Sequence, residues 1–314
     1  MIQRRSVGIV GTGHVGMAAA YALFLQRLAS DLVLVDLNRD RAEGEAMDLM
    51  HAQALVGRVT VRAGSYEDLA DAQVIVVTAG VSQKDPSESR LALLRRNADV
   101  FASIVADLDR HAPNAILVIA TNPVDVLTAV TIAQSSRDPR RVFGTGTTLD
   151  SARFRALLGK HYGVDPRSVH GYILGEHGDS EVPIWSSVTI GTEPIYKRTV
   201  LGRPWDQHAM DALFDDARRA AYHIIAKKSY TNTAIGVVIA RLVRAVLADE
   251  RSVHPISVPM DGAYGLADVC LSIPCVVGIG GVEAHLPPSL SDTELDGIQR
   301  SGAVLQDNLA KLEG

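Results

Sequence analysis

Ser6-Val7-Gly8-Ile9-Val10-Gly11-Thr12-Gly13-His14-Val15-Gly16 carries the chain from an apolar run into a G-x-G-x-x-G turn. Asp36 stands twenty residues past Gly16, at the end of the next apolar run, Leu32-Val33-Leu34-Val35. Glycines are common in turns, so the motif alone is a weak signal. After a strand, before a helix and with an acid ending the second strand, it has the full context of a dinucleotide-binding turn. Gly11 permits the tight turn, Gly13 lets backbone approach a pyrophosphate, and Gly16 lets helix and strand pack closely. The helix N-terminus then faces the phosphate charge. The Asp36 carboxylate suits the ribose hydroxyls of NAD. It opposes an added 2′-phosphate by roughly 1–4 kcal/mol, the cost of two unit charges in contact. NAD is the expected cofactor, with Arg39 a solvated helix-start residue.

Working outward, Val74-Ile75-Val76-Val77 and Ala115-Ile116-Leu117-Val118-Ile119 repeat the wholly apolar pattern of parallel strands covered on both faces. Between them Leu91, Leu94, Phe101, Ile104, Val105 and Leu108 recur at helical spacing. Such alternation predicts an α/β fold with an N-terminal Rossmann doubly wound parallel sheet. The pattern changes after Phe143. Residues 150–162 are expected to be helical, 169–200 mixed, and two long helices follow. The second helix carries the stripe Ile235, Val238, Ile239, Leu242, Val243, Val246. Antiparallel strands over 253–280 and a closing helix over 291–312 complete a C-terminal mixed α+β substrate domain. The expected organisation is residues 1–145 for NAD and 146–314 for substrate and catalysis, tightly packed together.

Composition narrows the partners. The 314 residues are 47% apolar and 21% charged with a net charge of −5, which opposes a general affinity for nucleic acid. Arg4 and Arg5 precede an apolar run that Gly11 soon breaks, so neither a signal segment nor a membrane span is expected. Cys270 and Cys275 make neither a disulfide framework nor a zinc ribbon, and buried thiols in a cytoplasmic protein are expected. His51, His111, His161, His208, His223, His254 and His285 show no ligand spacing, so no metal is expected.

Four segments carry chemistry: Gln83-Lys84-Asp85-Pro86-Ser87-Glu88-Ser89-Arg90, Thr121-Asn122-Pro123-Val124-Asp125, Leu149-Asp150-Ser151-Ala152-Arg153 and Gly175-Glu176-His177-Gly178-Asp179-Ser180. Reducing a 2-oxo acid requires a carboxylate clamp, a proton donor at the carbonyl oxygen, and a positive charge that polarises the carbonyl. Asp150 and Arg153 are three apart on a predicted helix and so share a face. Arg153 can grip a carboxylate with two parallel hydrogen bonds. Asp150 can orient a histidine and favour its charged form, and His177 in its glycine-flanked loop is the candidate. The polar segment 80–90, between a strand end and a long helix, suits a loop that closes and delivers Arg90.

Together GTGHVG, TNPVD, LDSARFR and GEHGDS resemble the L-lactate dehydrogenase and malate dehydrogenase family over essentially the whole chain. The resemblance implies NAD-dependent interconversion of L-lactate and pyruvate in glycolysis or fermentation, with malate or a bulkier 2-hydroxy acid as the alternative. It implies His177 as acid–base, Asp150 as its partner, Arg153 as clamp, Arg90 as the polarising arginine, and Thr231 at the pocket floor. Asn122 is implied beside both nicotinamide ribose and substrate, with Val15, Thr78 and Gly80 among the cofactor contacts. Where the family reads its substrate, counting from Thr78-Ala79-Gly80 selects Gln83, suited to a methyl group. Counting back from Arg90 selects Lys84, suited to a second carboxylate, and the forward register is preferred because the strand fixes the loop's start. Arg155 and His170 resemble a site for the effector fructose 1,6-bisphosphate between subunits of a homotetramer, with a dimer as the alternative. An NAD-dependent glycosidase would need metal-ligating groups near the nicotinamide. A silent NAD sensor would show erosion among Asp150, Arg153, His177 and Arg90, all of which are present.

Overall fold

The computed structural model describes residues 5–81 and 90–313, with side chains over 5–81 and 91–312. The first half alternates strand and helix: β1 (Ser6–Val10), α1 (His14–Gln26), β2 (Asp31–Val35), α2 (Arg39–His51), α3 (Gln53–Val56), β3 (Thr60–Ala63), β4 (Val74–Val77), α4 (Arg90–His111), β5 (Ile116–Ile119), α5 (Val124–Gln134) and β6 (Val142–Gly144). The six strands pair in parallel in the order β3-β2-β1-β4-β5-β6. Their uninterrupted apolar character has a direct cause. Side chains alternate faces along a strand, and both faces are covered. Val7 and Ile9, Leu32 and Leu34, Val74 and Val76 enter one core, which α1 supplies with Ala19, Ala20 and Leu23. Val33, Val35, Ile75 and Val77 enter the other, against Phe101, Ile104 and Leu108 of α4. The stripe expected on the long helix between β4 and β5 is thus its buried face.

After β6 come α6 (Thr148–Tyr162), the short strands β7 (Val169–His170), β8 (Ile173–Leu174), β9 (Val182–Pro183), β10 (Thr189–Ile190) and β11 (Glu193–Pro194), and helices α7 (Gln207–Lys228) and α8 (Thr233–Leu247). Strands β12 (Ser252–Asp261), β13 (Ala267–Gly278) and β14 (Gly281–His285) and helix α9 (Asp292–Glu313) close the chain. The antiparallel strands do not form a sheet of their own. β12 joins β6 antiparallel at Ser257 and Gly144, so β12, β13 and β14 extend the first sheet to nine strands among the described residues. Gly144 makes this junction possible: a Cβ there would meet Ser257 Cβ at 2.9 Å and overlap the Thr128 hydroxyl. The expected boundary at 145/146 falls between β6 and α6, where the chain leaves this sheet. A third core of Phe154, Leu158, Trp185 and Met210 lies under the short strands.

This topology gathers the expected site. Gly11, Asp36, Thr78 and Asn122 each lie just beyond the carboxyl end of β1, β2, β4 or β5. Strand order reverses between β1 and β4, and ligands of open α/β sheets bind outside the strand ends at such a switch point. Cys270 and Cys275 are buried free thiols. Among the described residues no helix is long and apolar enough to cross a membrane.

Candidate active site

The glycine turn is built around close backbone approaches. Gly11 has φ +100°, and a Cβ there would lie 2.5 Å from the Ala79 nitrogen. A Cβ at Gly16 would overlap the Gly11 carbonyl oxygen and reach 2.7 Å from Thr78 Oγ1. Thr78 donates its hydroxyl to the Gly11 carbonyl at 2.7 Å, tying the end of β4 to the turn. At Gly13 a Cβ would meet nothing within 4 Å, so open space faces the backbone where a bound pyrophosphate needs it. Gly13 caps α1 without a side-chain bond and no acid lies in the helix's first turn. The first amides of a helix have no partner within it, which makes this end a fitting seat for phosphate. Asp36 accepts the Thr12 amide at 2.6 Å, the Thr12 hydroxyl at 2.9 Å and the Asn38 amide at 2.9 Å. Burial works to raise its pKa, but these bonds outweigh it and hold the carboxyl below the ordinary range, hence charged. Arg39 pairs with Glu43 on the solvated face of α2, as a helix-start residue does.

The second cluster centres on Asp150 in the first turn of α6. Its Oδ1 accepts Arg153 Nη1 at 2.7 Å and its Oδ2 lies 2.5 Å from His177 Nδ1. Asp150 is 2% exposed, whereas the side chains of Arg153 and His177 keep 14% and 25% open. A buried carboxylate thus orients two partly open cationic groups. Burial lowers the affinity of His177 for its proton, but Asp150, then Asp125 and Glu181, outweigh it and the pKa stands at about 9. Burial likewise pushes Asp150 upward, but His177 and Arg153 hold it below the carboxylate range. With Nδ1 committed to Asp150, Nε2 is the ring nitrogen left to face a substrate.

The loop holding His177 is fixed from several sides. Gly175, at φ +91°, exchanges backbone hydrogen bonds with Ser272 of β13 at 3.1 and 2.9 Å. Glu176 donates its amide to Ser301 Oγ of α9 at 2.7 Å, and the His177 amide reaches Asp125 Oδ2 of α5 at 2.7 Å. From α7, Arg218 bonds the Asp179 carbonyl at 3.2 Å and Tyr222 its carboxylate at 3.1 Å.

His177, Asp150 and Arg153 are therefore brought together, as are Gly11, Gly16 and Thr78. Asn122 is exposed after β5, preceding a cis peptide to Pro123. Gly80 packs near Thr121 and Asn97, and Val15 lies half-buried in α1. Thr231 lies half-buried between α7 and α8. Arg155 turns away from the pocket to the Pro166 carbonyl at 3.4 Å, and His170 is exposed at the end of β7. Gln83 and Lys84 lie outside the described residues. Arg90 begins α4, and its side chain lies outside the described part.

Two acids escaped the sequence reading. Asp125 is 2% exposed, holds the His177 amide, and burial lifts its pKa to about 6. Its signal was an acid inside the apolar stretch Val124-Asp125-Val126-Leu127, which demands a polar partner. Glu181, 6% exposed, has donor atoms within 4.8 Å of those of Asp150 and His177. Burial and then the Asp150 charge raise its pKa, and no spacing in the sequence announced it.

The chain has counterparts among known proteins. Residues 5–144 match the model of the lactate/malate dehydrogenase NAD binding domain, and 147–314 that of the lactate/malate dehydrogenase alpha/beta C-terminal domain. The L-lactate dehydrogenase of Salinibacter ruber is 62% identical, covering 99% of each chain. That of Thermus aquaticus is 48% identical over 96% of this chain and 97% of its own. Among solved structures, the minor L-lactate dehydrogenase of Enterococcus mundtii in a ligands-bound form superposes with TM-score 0.95 at 41% identity, covering 98% of each chain.

The cofactor of the domain spanning residues 5–144 is NAD. Because the Cβ clash at Gly16 is with backbone, Gly16→Ala is expected to weaken NADH binding by roughly fivefold to a hundredfold, as overpacking by about 1–3 kcal/mol implies. Fluorescence titration of NADH checks this, and an unchanged Kd would contradict the assigned packing.

Proposed function

This chain belongs to the lactate/malate dehydrogenase family, and we propose that within it the chain interconverts L-lactate and pyruvate. The observation that carries the reading is the buried Asp150 holding Arg153 with one oxygen and His177 with the other. NAD, when bound, supplies or accepts the hydride at the carbon bearing the substrate oxygen. Arg153 spends one amino group on Asp150 and keeps other N–H donors for the substrate carboxylate, at about 1.5–3 kcal/mol for each charge-assisted bond. His177 gives the proton on Nε2 to the carbonyl oxygen of pyruvate and takes it back from the hydroxyl of lactate. With its pKa at about 9, it is charged in the free enzyme at neutral pH. Pyruvate reduction is therefore sustained up to that pH and falls above it. Lactate oxidation needs the neutral ring and gains as pH rises. Arg90, at the start of α4, is assigned to polarise the carbonyl.

The methyl of pyruvate is assigned to Gln83, the forward register of the loop, and Thr231 to the pocket floor. Asn122 serves both nicotinamide ribose and substrate. Val15, Thr78 and Gly80 join Gly11, Gly13, Gly16 and Asp36 in holding the cofactor. The exposed apolar side chains Tyr21, Leu25, Met47, Ile225 and Val237 favour burial between copies, and we assign a homotetramer. The reducing cytoplasm suits its free thiols, and regenerating NAD in glycolysis or fermentation suits the reaction. Arg155 and His170, outside the pocket, are assigned to fructose 1,6-bisphosphate. Cationic groups facing each other across a two-fold axis repel until a phosphate bridges them.

Following NADH absorbance with pyruvate and with oxaloacetate tests the reaction. Pyruvate is expected to be turned over faster, whereas a more than tenfold preference for oxaloacetate would assign Lys84 and malate. Adding fructose 1,6-bisphosphate is expected to lower the apparent KM for pyruvate in a species that light scattering finds four times 33.6 kDa. An unchanged KM at mildly acidic and neutral pH removes the effector, and a monomer mass removes the assembly.

A further inference from the structure

His14, which follows Gly13 in the glycine turn, is exposed at the start of α1, yet its ring is not free. It lies flat against Tyr230, with centroids 3.9 Å apart and planes 4° from parallel. Tyr230 directly precedes Thr231, and Lys228 Nζ stands 4.6 Å from the centre of the same tyrosine ring. Lys228 also donates to Asn232 Oδ1 at 2.9 Å, and Asn232 Nδ2 reaches the His14 carbonyl at 3.4 Å. One turn further along α8, Gly236 lets the two helices touch, since a Cβ there would lie 2.7 Å from the Ala18 backbone. The residues on either side of Thr231 are thus fastened to the helix that opens the cofactor turn, one through its ring and the other through its amide.

We propose that His14 is a positioning residue whose stack on Tyr230 fixes the floor of the substrate pocket relative to the bound cofactor. The proposal rests on the function assigned above. Its physical content is that two exposed rings lose little hydration and gain a geometrically specific contact, which narrows the positions open to the 229–232 connection. A residue of this kind acts on substrate binding. Thr231 is held at its distance from the nicotinamide side before substrate arrives, and pre-ordering of that sort appears as affinity. The proton-transfer groups Asp150 and His177 lie on other elements and do not depend on it.

The test compares His14→Ala, His14→Phe and Tyr230→Ala in the full-length holoenzyme. His14→Ala is expected to raise KM for pyruvate roughly threefold to tenfold, the span an aromatic contact supports, with kcat within about twofold. His14→Phe, which keeps a stacked ring without the imidazole nitrogens, is expected to restore KM. Adding Tyr230→Ala to His14→Ala is expected to bring no further loss, the mark of a coupled pair. Two readouts do not depend on turnover. The Kd for NADH by fluorescence is expected to change by less than about twofold, and the His14 ring protons are expected to show an upfield ring-current shift in NMR spectra that Tyr230→Ala abolishes. If wild type reduces pyruvate and His14→Ala leaves its KM unchanged, or if His14→Phe is as impaired as His14→Ala, the positioning role is wrong. Absence of pyruvate reduction in wild type would instead overturn the function on which it rests.

Discussion

Asp150 divides its two carboxylate oxygens between a guanidinium and an imidazole, and the surrounding fold makes that division obligatory. The group is almost wholly buried, so leaving either oxygen unpaired would cost free energy that solvent cannot return. Such a triad contributes little net stability, because desolvation offsets most of the attraction. Its product is geometry. Arg153 and His177 keep some exposure while their inner faces are locked, so one carboxyl group aligns a guanidinium with an imidazole. Further acids, Asp125 and Glu181, deepen the negative field around the ring and strengthen its hold on a proton.

Each arm of this arrangement is supplied by a different part of the sheet. α6, which brings Asp150 and Arg153, starts just after β6, the last parallel strand. The His177 loop is bonded to β13, and β13 reaches β6 through β12 and the Gly144 junction. The antiparallel ribbon is therefore the structural reason a histidine 27 residues away from its aspartate arrives within hydrogen-bond reach. At the other end of the parallel set, the glycine turn and Asp36 gather at the strand ends. The glycine turn and the Asp150 cluster are thus both anchored to one sheet.

Much of this was legible in the amino-acid order. Wholly apolar strands, a glycine turn with an acid at the correct remove, and helical stripes such as Ile235 to Val246 follow from backbone geometry and two-sided burial. The pairing of Asp150 with Arg153 follows from helical spacing. The attachment of β12 to β6 was not legible, because it depends on Gly144 leaving room for Ser257, a contact between residues far apart in sequence. Glu181 was hidden for a similar reason: its environment is created by α6 and α7, and nothing local distinguishes it from a surface acid. Asp125 lay within reach, since an acid amid valines and leucine must find a partner. The stack of His14 on Tyr230 joins the glycine turn to the residue before Thr231, and nothing local in either stretch signalled the contact.

Titrating the His177 ring in the free protein by NMR, with Asp150→Asn alongside, tests the central claim most directly. A midpoint near 9 in wild type that falls toward 6.5 or below in the variant is the predicted result. A wild-type midpoint at or below 6.5, or one that Asp150→Asn leaves in place, would mean that the buried carboxylate does not hold the proton on this ring.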